Sequence, residues 1–250
     1  MTIDKTSHPH YQYSQRFLTA YAEIEEYLRN LINLNKGSSF PYVLSQASHK
    51  EPVLKNFRDD LLQYGELRNA LVHERHNGEP IAEPHPDVVD SIERIRQILL
   101  SPPQLLPDFA SRVEISPVNE PISSSLNKML TGHYAKLPVY EGKQFIGLLT
   151  PRVITLWLAN CFKDQSQANP QTAVSEVLAY TQYRDNCVFL SHKDTVSSAI
   201  NIFNTYSRRG QKLDAILITE TGSLNQRPLG ILTSSMLPKL YALISSKKPA

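Results

Sequence analysis

Only two cysteines, Cys161 and Cys187, occur in 250 residues. Two thiols cannot build a disulfide framework, and their scarcity points to a reducing compartment. Long apolar runs are missing too. No stretch approaches the ~20 residues of a membrane helix, and the start, Met1-Thr2-Ile3-Asp4-Lys5, lacks the apolar core of a signal peptide. The expectation is a soluble cytoplasmic protein with no membrane partner. Glycine is sparse, and no Gly-rich phosphate loop, nucleophile elbow or paired-carboxylate motif is present, which argues against most enzyme classes. A large charge excess is also lacking. Residues 1–105 carry 11 Lys and Arg against 14 Asp and Glu, and residues 106–250 carry 15 against 10. The front half therefore has no broad basic face, so any RNA contact there is small and local.

What is present divides into two kinds of pattern, and the length allows one or two domains. After a tail through His10, apolar residues recur at Phe17, Tyr21, Ile24, Leu28 and Leu31, a helical spacing, with Asn35-Lys36-Gly37 as its stop. A short helix is expected around Tyr42 to Ala47, and a central run from about Glu51 to Arg75 ends at Asn77-Gly78. A further helix opens at Asp87 and runs through Val88, Ile92, Ile95 and Leu99. Four helices without strand signals predict an all-helical bundle over about residues 10–100. Three prolines in Ser101-Pro102-Pro103-Gln104-Leu105-Leu106-Pro107 mark residues 101–107 as a linker.

Beyond the linker the pattern becomes that of strands and helices. Leu137-Pro138-Val139-Tyr140 and Phe145-Ile146-Gly147-Leu148-Leu149-Thr150 read as a hairpin, followed by a helix through Ile154, Trp157 and Leu158. The order returns in Leu213-Asp214-Ala215-Ile216-Leu217-Ile218, a longer turn, Gly230-Ile231-Leu232-Thr233, and a helix through Leu237 and Leu240. Gly147 to Thr150 maps onto Gly230 to Thr233 with a constant offset of 83 residues. A helix-like segment precedes each hairpin, Ser123 to Leu130 and Thr195 to Tyr206. This is an internal duplication, and the fold class expected is α plus α/β.

On these residues the second half, about 108–245, resembles a CBS-domain pair (a Bateman module) with βαββα repeats at about 108–160 and 174–245. The resemblance implies clefts between the repeats that sense an adenine nucleotide or related regulatory ligand, and pairing into a homodimer. Locally, the glycines permit close approach of backbone and ligand, and the Thr150 and Thr233 hydroxyls can bond a phosphate or sugar. Arg152, Lys136, Ser234 and Ser235 are the other candidate contacts. The ribose-binding version of the motif has an Asp three positions after the Thr, where this chain has Val153 and Met236. Each Thr can alternatively cap the helix that follows it.

The most informative stretch is Leu67-Arg68-Asn69-Ala70-Leu71-Val72-His73. On a helical wheel with Phe57 at zero, the residues Leu61, Tyr64, Arg68, Leu71 and Val72 fall within about 60° of it. Arg68 thus interrupts an apolar face, where an unpaired charge costs several kcal/mol, so it must pair, reach an opening or face a second subunit. Asn69 and His73 share another face, where Asn69 can orient the imidazole.

This stretch resembles the R-x4-6-H motif of HEPN domains in its Arg-Asn-x-x-x-His form. The resemblance implies a metal-independent endoribonuclease whose cleft is completed by two protomers, with no cofactor for catalysis. His73 would transfer the proton, Arg68 would hold the phosphate, and Asn69 would position the groups. Arg68 and His73 point about 140° apart on an ideal helix, so one chain alone does not assemble the site. The residues leave two other readings open: a non-enzymatic nucleotide-sensing regulator, and a dimerisation or interaction protein in which Arg68 pairs with Glu66, Asp60 or a partner's acid. His73 and His76 are spaced like helical metal ligands, but no nearby Cys or His completes a set, so no metal site is expected. His85 is expected to have no specific role, and Arg208-Arg209-Gly210 reads as a basic helix end.

Overall fold

The computed structural model describes residues 12–34, 37–73, 75–76, 79–80, 82–181 and 186–246, with the backbone alone for 75–76 and 79–80. It separates into two compact units, Met1–Pro103 with Pro238–Ala250, and Gln104–Leu237. The chain passes from one to the other inside the proline-rich stretch and returns between Leu237 and Pro238.

The first unit is built from α1 (Gln12–Ile32), α2 (Phe40–Lys50), α3 (Arg58–His73) and α4 (Pro86–Leu100), with β1 (Arg75–His76) and β2 (Glu79–Pro80) forming a two-stranded antiparallel pair. The stripe expected in α1 is buried at Phe17, Tyr21, Ile24 and Leu28, and α4 buries Val89, Ile92, Ile95 and Leu99. Phe17 meets Tyr64 edge to face with ring centroids 5.8 Å apart, which joins α1 to α3 through the core. Arg16 grips Glu93 through Nε and Nη2 at 2.9 and 2.6 Å, fixing α1 beside α4.

Several boundaries differ from those expected. Asn33, at φ 55°, stops α1 before Gly37 is reached, and Leu34 N donates to Arg29 O at 3.0 Å in the cap. The central run does not begin at Glu51: Pro52–Asn56 is a 3-10 turn, and α3 starts only at Arg58. It ends at His73, and Asn77-Gly78 lies outside the described residues. His85 does have a role, because its Nδ1 accepts from Asp87 N at 3.3 Å and caps α4.

The second unit holds the duplication. β3 (Ser116–Pro117), α5 (Ile122–Thr131), β4 (Leu137–Glu141), β5 (Gln144–Leu149) and α6 (Pro151–Lys163) form the first copy. After the short α7 (Val174–Leu178) come β6 (Cys187–Ser191), α8 (Val196–Arg208), β7 (Ala215–Thr219) and β8 (Gly230–Leu232). A 3-10 turn, Ser234–Met236, then leads into α9 (Leu237–Leu243). Each sheet has a parallel pair followed by an antiparallel one, in the orders β3-β4-β5 and β6-β7-β8. The fold is therefore α plus α/β, with a βαββα unit made twice.

Register also explains the unequal turns. Val139 faces Gly147 in the first hairpin, and Ile218 faces Gly230 in the second. Strands β4 and β7 are thus offset by fewer residues than the glycines, and the loop after β7 absorbs the difference. A buried polar network ties β3 to α5: Ser116 and Ser125 each donate to Glu120 Oε1 at 2.6 Å, and Lys128 Nζ bonds both carboxylate oxygens. The last helix counts with the helical unit because Arg94 of α4 bonds the carbonyls of Ser245 and Ala242 at 2.6 and 3.3 Å. Those are carbonyls that a helix end leaves without internal donors.

Candidate functional site

Arg68, Asn69 and His73 occupy the last turns of α3. Leu61, Tyr64 and Leu71 are buried there, whereas Arg68 is half-buried and Asn69 and His73 are exposed. The Arg68 guanidinium donates to Asn69 Oδ1 at 3.2 Å. Among the described residues no carboxylate lies within ion-pair distance of it, so the alternative pairs with Asp60 and Glu66 are not made. Asn69 gives its oxygen to Arg68, and no hydrogen bond joins it to His73 among the described residues. The long guanidinium arm folds onto its chain neighbour and stays half-buried.

Tyr21 stands beside the same turn. A Cβ at Gly65 would lie 3.3 Å from its hydroxyl, and Gly65 and Arg68 are three residues apart on one face. Burial, with help from Glu25, holds the Tyr21 phenol above its ordinary range, and the Arg68 charge opposes that shift. A groove of about 1080 Å³ opens on this unit, walled by Glu23, Asp60, Tyr64, Asp90, Glu93 and Arg94 among others. It does not include Arg68, Asn69 or His73. Among the described residues no group of three His, Cys, Asp or Glu side chains is arranged for a metal, and the His76 side chain lies outside them.

The second unit has a more closed arrangement. A cavity of about 20 Å³ is walled by Thr150, Arg152, Val153, Asn186, Lys212 and Asp214, with Leu156 and Thr181 completing it. Thr150 is buried at the start of α6, where its Oγ1 accepts from Val153 N at 3.3 Å. The capping role therefore holds for Thr150. It does not hold for Thr233, whose hydroxyl instead meets Ser235 Oγ at 2.8 Å. Ser234 is exposed, and neither it nor Thr233 is a wall of this cavity.

Asp214 is the centre of the site, although it is not among the candidate contacts that the sequence motif supplies. It precedes the fully buried β7 and is itself 7% exposed. Asn186 Nδ2 donates to its Oδ2 at 2.6 Å, and Asp214 N returns a bond to Asn186 O at 2.7 Å. Lys136, from the head of β4, donates to the Asp214 carbonyl, and its Nζ stands 3.7 Å from Oδ1. Lys212 Nζ stands 3.3 Å from the same oxygen. Even so, Oδ1 is buried with no hydrogen bond among the described residues. Burial pushes the Lys136 ammonium down, and Asp214 pulls it partly back. Burial and then Asp214 push the neighbouring Cys187 thiol up to about 12, so it is not a nucleophile at neutral pH.

Of the residues expected at a ligand site, Lys136, Thr150 and Arg152 are brought together, and Asp214, Lys212 and Asn186 join them. One signal was available: an acid at the head of an apolar strand, Asp214-Ala215-Ile216-Leu217-Ile218, is the kind of buried charge that demands partners. A Cβ at Gly230 would sit 2.4 Å from the Phe109 carbonyl oxygen, so the close approach there is by the chain's own backbone. A Cβ at Gly147 would meet the Leu178 side chain at 3.5 Å.

No protein-family model and no curated protein sequence matches the chain. Among solved structures it is similar to CbpB in complex with c-di-AMP, at 16% identity over 62% of this chain and 93% of that one, with a TM-score of 0.42. It is similar to CBSX2 in complex with AMP at 12% identity, over 54% and 92% of the two chains, with a TM-score of 0.39. A CBS-domain containing protein from Agrobacterium tumefaciens matches at 19% identity, over 52% and 84%, with a TM-score of 0.36. At values this low the fold rests on the chain's own topology and not on the likeness. No helix among the described residues is long and apolar enough to cross a membrane.

Proposed function

We propose that this chain is a ligand-regulated homodimer, in which the duplicated unit holds a nucleotide-like ligand and thereby controls the helical unit as a metal-independent endoribonuclease. The observation that carries the sensing half is the convergence of Thr150, Arg152 and Lys212 around one cavity walled by Asp214, which Lys136 also faces and whose buried Oδ1 has no hydrogen bond among the described residues. Cations at the rim suit a phosphate, and the polar floor suits a sugar or base edge. The AMP and c-di-AMP named for similar structures supply the probes.

The effector half is supported by Arg68, a half-buried guanidinium that no carboxylate neutralises among the described residues. In the proposed cleft Arg68 holds the scissile phosphate of RNA and stabilises its growing charge, while Asn69 positions the groups. The 2′-oxygen forms a bond to phosphorus, the bond from phosphorus to the 5′-oxygen breaks, and His73 transfers the proton. The products are a 2′,3′-cyclic phosphate and a 5′-hydroxyl. Because Arg68 and His73 diverge on one helix, two copies complete the cleft.

One observation favours a second reading. Asn69 is engaged by Arg68 and not by His73, as suits a stretch used for docking in a non-enzymatic regulator. Incubating the purified chain with mixed RNA in EDTA, beside Arg68→Ala and His73→Ala, separates the two. Cleavage lost in both variants supports the ribonuclease. Its absence with and without AMP or c-di-AMP leaves the regulator. Sedimentation tests the dimer, and calorimetry with the same nucleotides tests the sensing.

A further inference from the structure

We propose that the Tyr21 hydroxyl and the Arg68 guanidinium form one phosphate-binding site across α1 and α3, both donating to the same phosphodiester of a bound RNA strand. The inference rests on the ribonuclease reading and deepens it, by adding to Arg68 a donor from another helix.

Three observations carry it. The first is an open donor. The Tyr21 ring packs against Phe17 and Phe40, with centroids 6.4 and 5.0 Å away, and the residue is 4% exposed. A tyrosine so placed usually gives its hydroxyl a partner, yet this one makes no hydrogen bond among the described residues. The buried side-chain atoms left without a partner there are Arg29 Nη1 and Asp214 Oδ1, so the Tyr21 hydroxyl is not sealed and a ligand can reach it. Burial holds the phenol above its ordinary range, which keeps it a protonated donor at neutral pH.

The second observation is the space over that hydroxyl. It lies against Gly65 in the interior of α3, where a Cβ would stand 3.3 Å from it and 3.4 Å from Phe40. Glycine there costs the helix about 1 kcal/mol relative to alanine, and its bare backbone leaves the hydroxyl uncovered. The third is charge. Arg68 follows Gly65 by three residues on the same face of α3. One of its five N–H groups goes to Asn69 Oδ1, and no carboxylate neutralises it among the described residues. Glu25, one turn from Tyr21 on α1, is already held by Arg29, whose Nε and Nη2 donate to its Oε1 at 3.0 and 2.6 Å. The charge left over beside Tyr21 is therefore the cation of Arg68. Two donors on neighbouring helices, with no acceptor of their own, suit a group that only accepts and has two free oxygens, as a phosphodiester does.

Fluorescence anisotropy of a labelled, mixed-sequence 2′-fluoro RNA oligonucleotide tests this on the full chain in EDTA. Such a strand keeps every phosphate and has no 2′-hydroxyl to attack, so binding is read apart from cleavage. Tyr21→Phe keeps the ring and removes only the hydroxyl. It is expected to weaken binding about tenfold to a hundredfold, as is Arg68→Ala. In the double variant Tyr21→Phe should add less than about twofold, because the shared phosphate is already released. A merely structural Tyr21 would weaken binding by the same factor with or without Arg68, and that result overturns the shared site. Binding that falls in Arg68→Ala but not in Tyr21→Phe overturns the inference while the ribonuclease reading stands. Binding that neither variant weakens belongs to another surface and overturns the inference. No binding by the wild type overturns it together with the ribonuclease reading, leaving Arg68 for an acid of a second subunit.

Discussion

Replacing Lys136 with methionine keeps much of the apolar stem and removes the charge that links the heads of β4 and β7. The side chains of Lys136 and Asp214 are 18% and 10% exposed, so water compensates neither when its partner is lost. Truncating one member of such a pair costs roughly 3–5 kcal/mol. Lys212 remains 3.3 Å from Asp214, but its side chain is 64% exposed, and a contact so well solvated returns about 1 kcal/mol at most. The Asn186 bond is untouched. The expected loss is therefore about 3 kcal/mol, the buried-pair cost less the Lys212 contribution. Asp214→Asn removes the charge from the other side, and in the double variant neither charge is stranded. The two losses should fall short of additivity by about 1–3 kcal/mol. Urea unfolding followed by fluorescence is selective here, because Trp157 is the sole tryptophan and is buried in the first repeat. A loss below about 1 kcal/mol for Lys136→Met, or additivity within about 0.5 kcal/mol, would refute the assignment of this pair as the link between the repeats.

Glu120 makes stability pH-dependent. Burial alone would raise its carboxyl, but hydrogen bonds from Lys128, Ser116 and Ser125 outweigh that and hold it below the usual range. Its contribution is present above the ordinary carboxylate pKa and is lost as pH falls through the lowered one. Glu120→Gln should accordingly be destabilising at pH 7, with the difference from wild type shrinking in acid, and an undiminished gap at pH 3 would count against it. Glu83 caps α1 by accepting from Tyr13 N and Ser14 N at 2.7 and 3.1 Å. Glu83→Ala should cost about 1 kcal/mol in helix unfolding followed by circular dichroism, and no change would remove the cap from the account. Gly65→Ala should fail to gain the ~1 kcal/mol that Ala normally brings to a helix interior, since its Cβ would stand 3.3 Å from the Tyr21 hydroxyl and 3.4 Å from Phe40. A clear rise in melting temperature would contradict that packing.

Periodicity made α1 and α4 legible because their apolar residues form one stripe each, and it made the duplication legible because the two Gly-to-Thr segments repeat. The 3-10 turn at Pro52–Asn56 was not, since a proline is as acceptable at the start of a helix as in a turn. Nor were β3 and β6 located, β3 having two residues and β6 lying half-buried throughout without alternation. Lys136, Thr150 and Arg152 could be chosen by residue type near a hairpin. Asn186 could not, because its meeting with Asp214 depends on pairing between segments 28 residues apart, and for Asp214 the one signal was an acid at the head of an apolar strand. Arg68 is the instructive case. The wheel placed it on the apolar stripe, but its long side chain left that stripe, bonded Asn69 and stayed half-buried.

Control of the helical unit by the duplicated unit is the claim on which the account turns. Its most direct test is the initial rate of RNA cleavage by the full chain in EDTA, measured across a titration of AMP with His73→Ala as the blank. The expected result is a His73-dependent rate that changes saturably with AMP. A rate that is absent, independent of His73, or flat across the titration would contradict it.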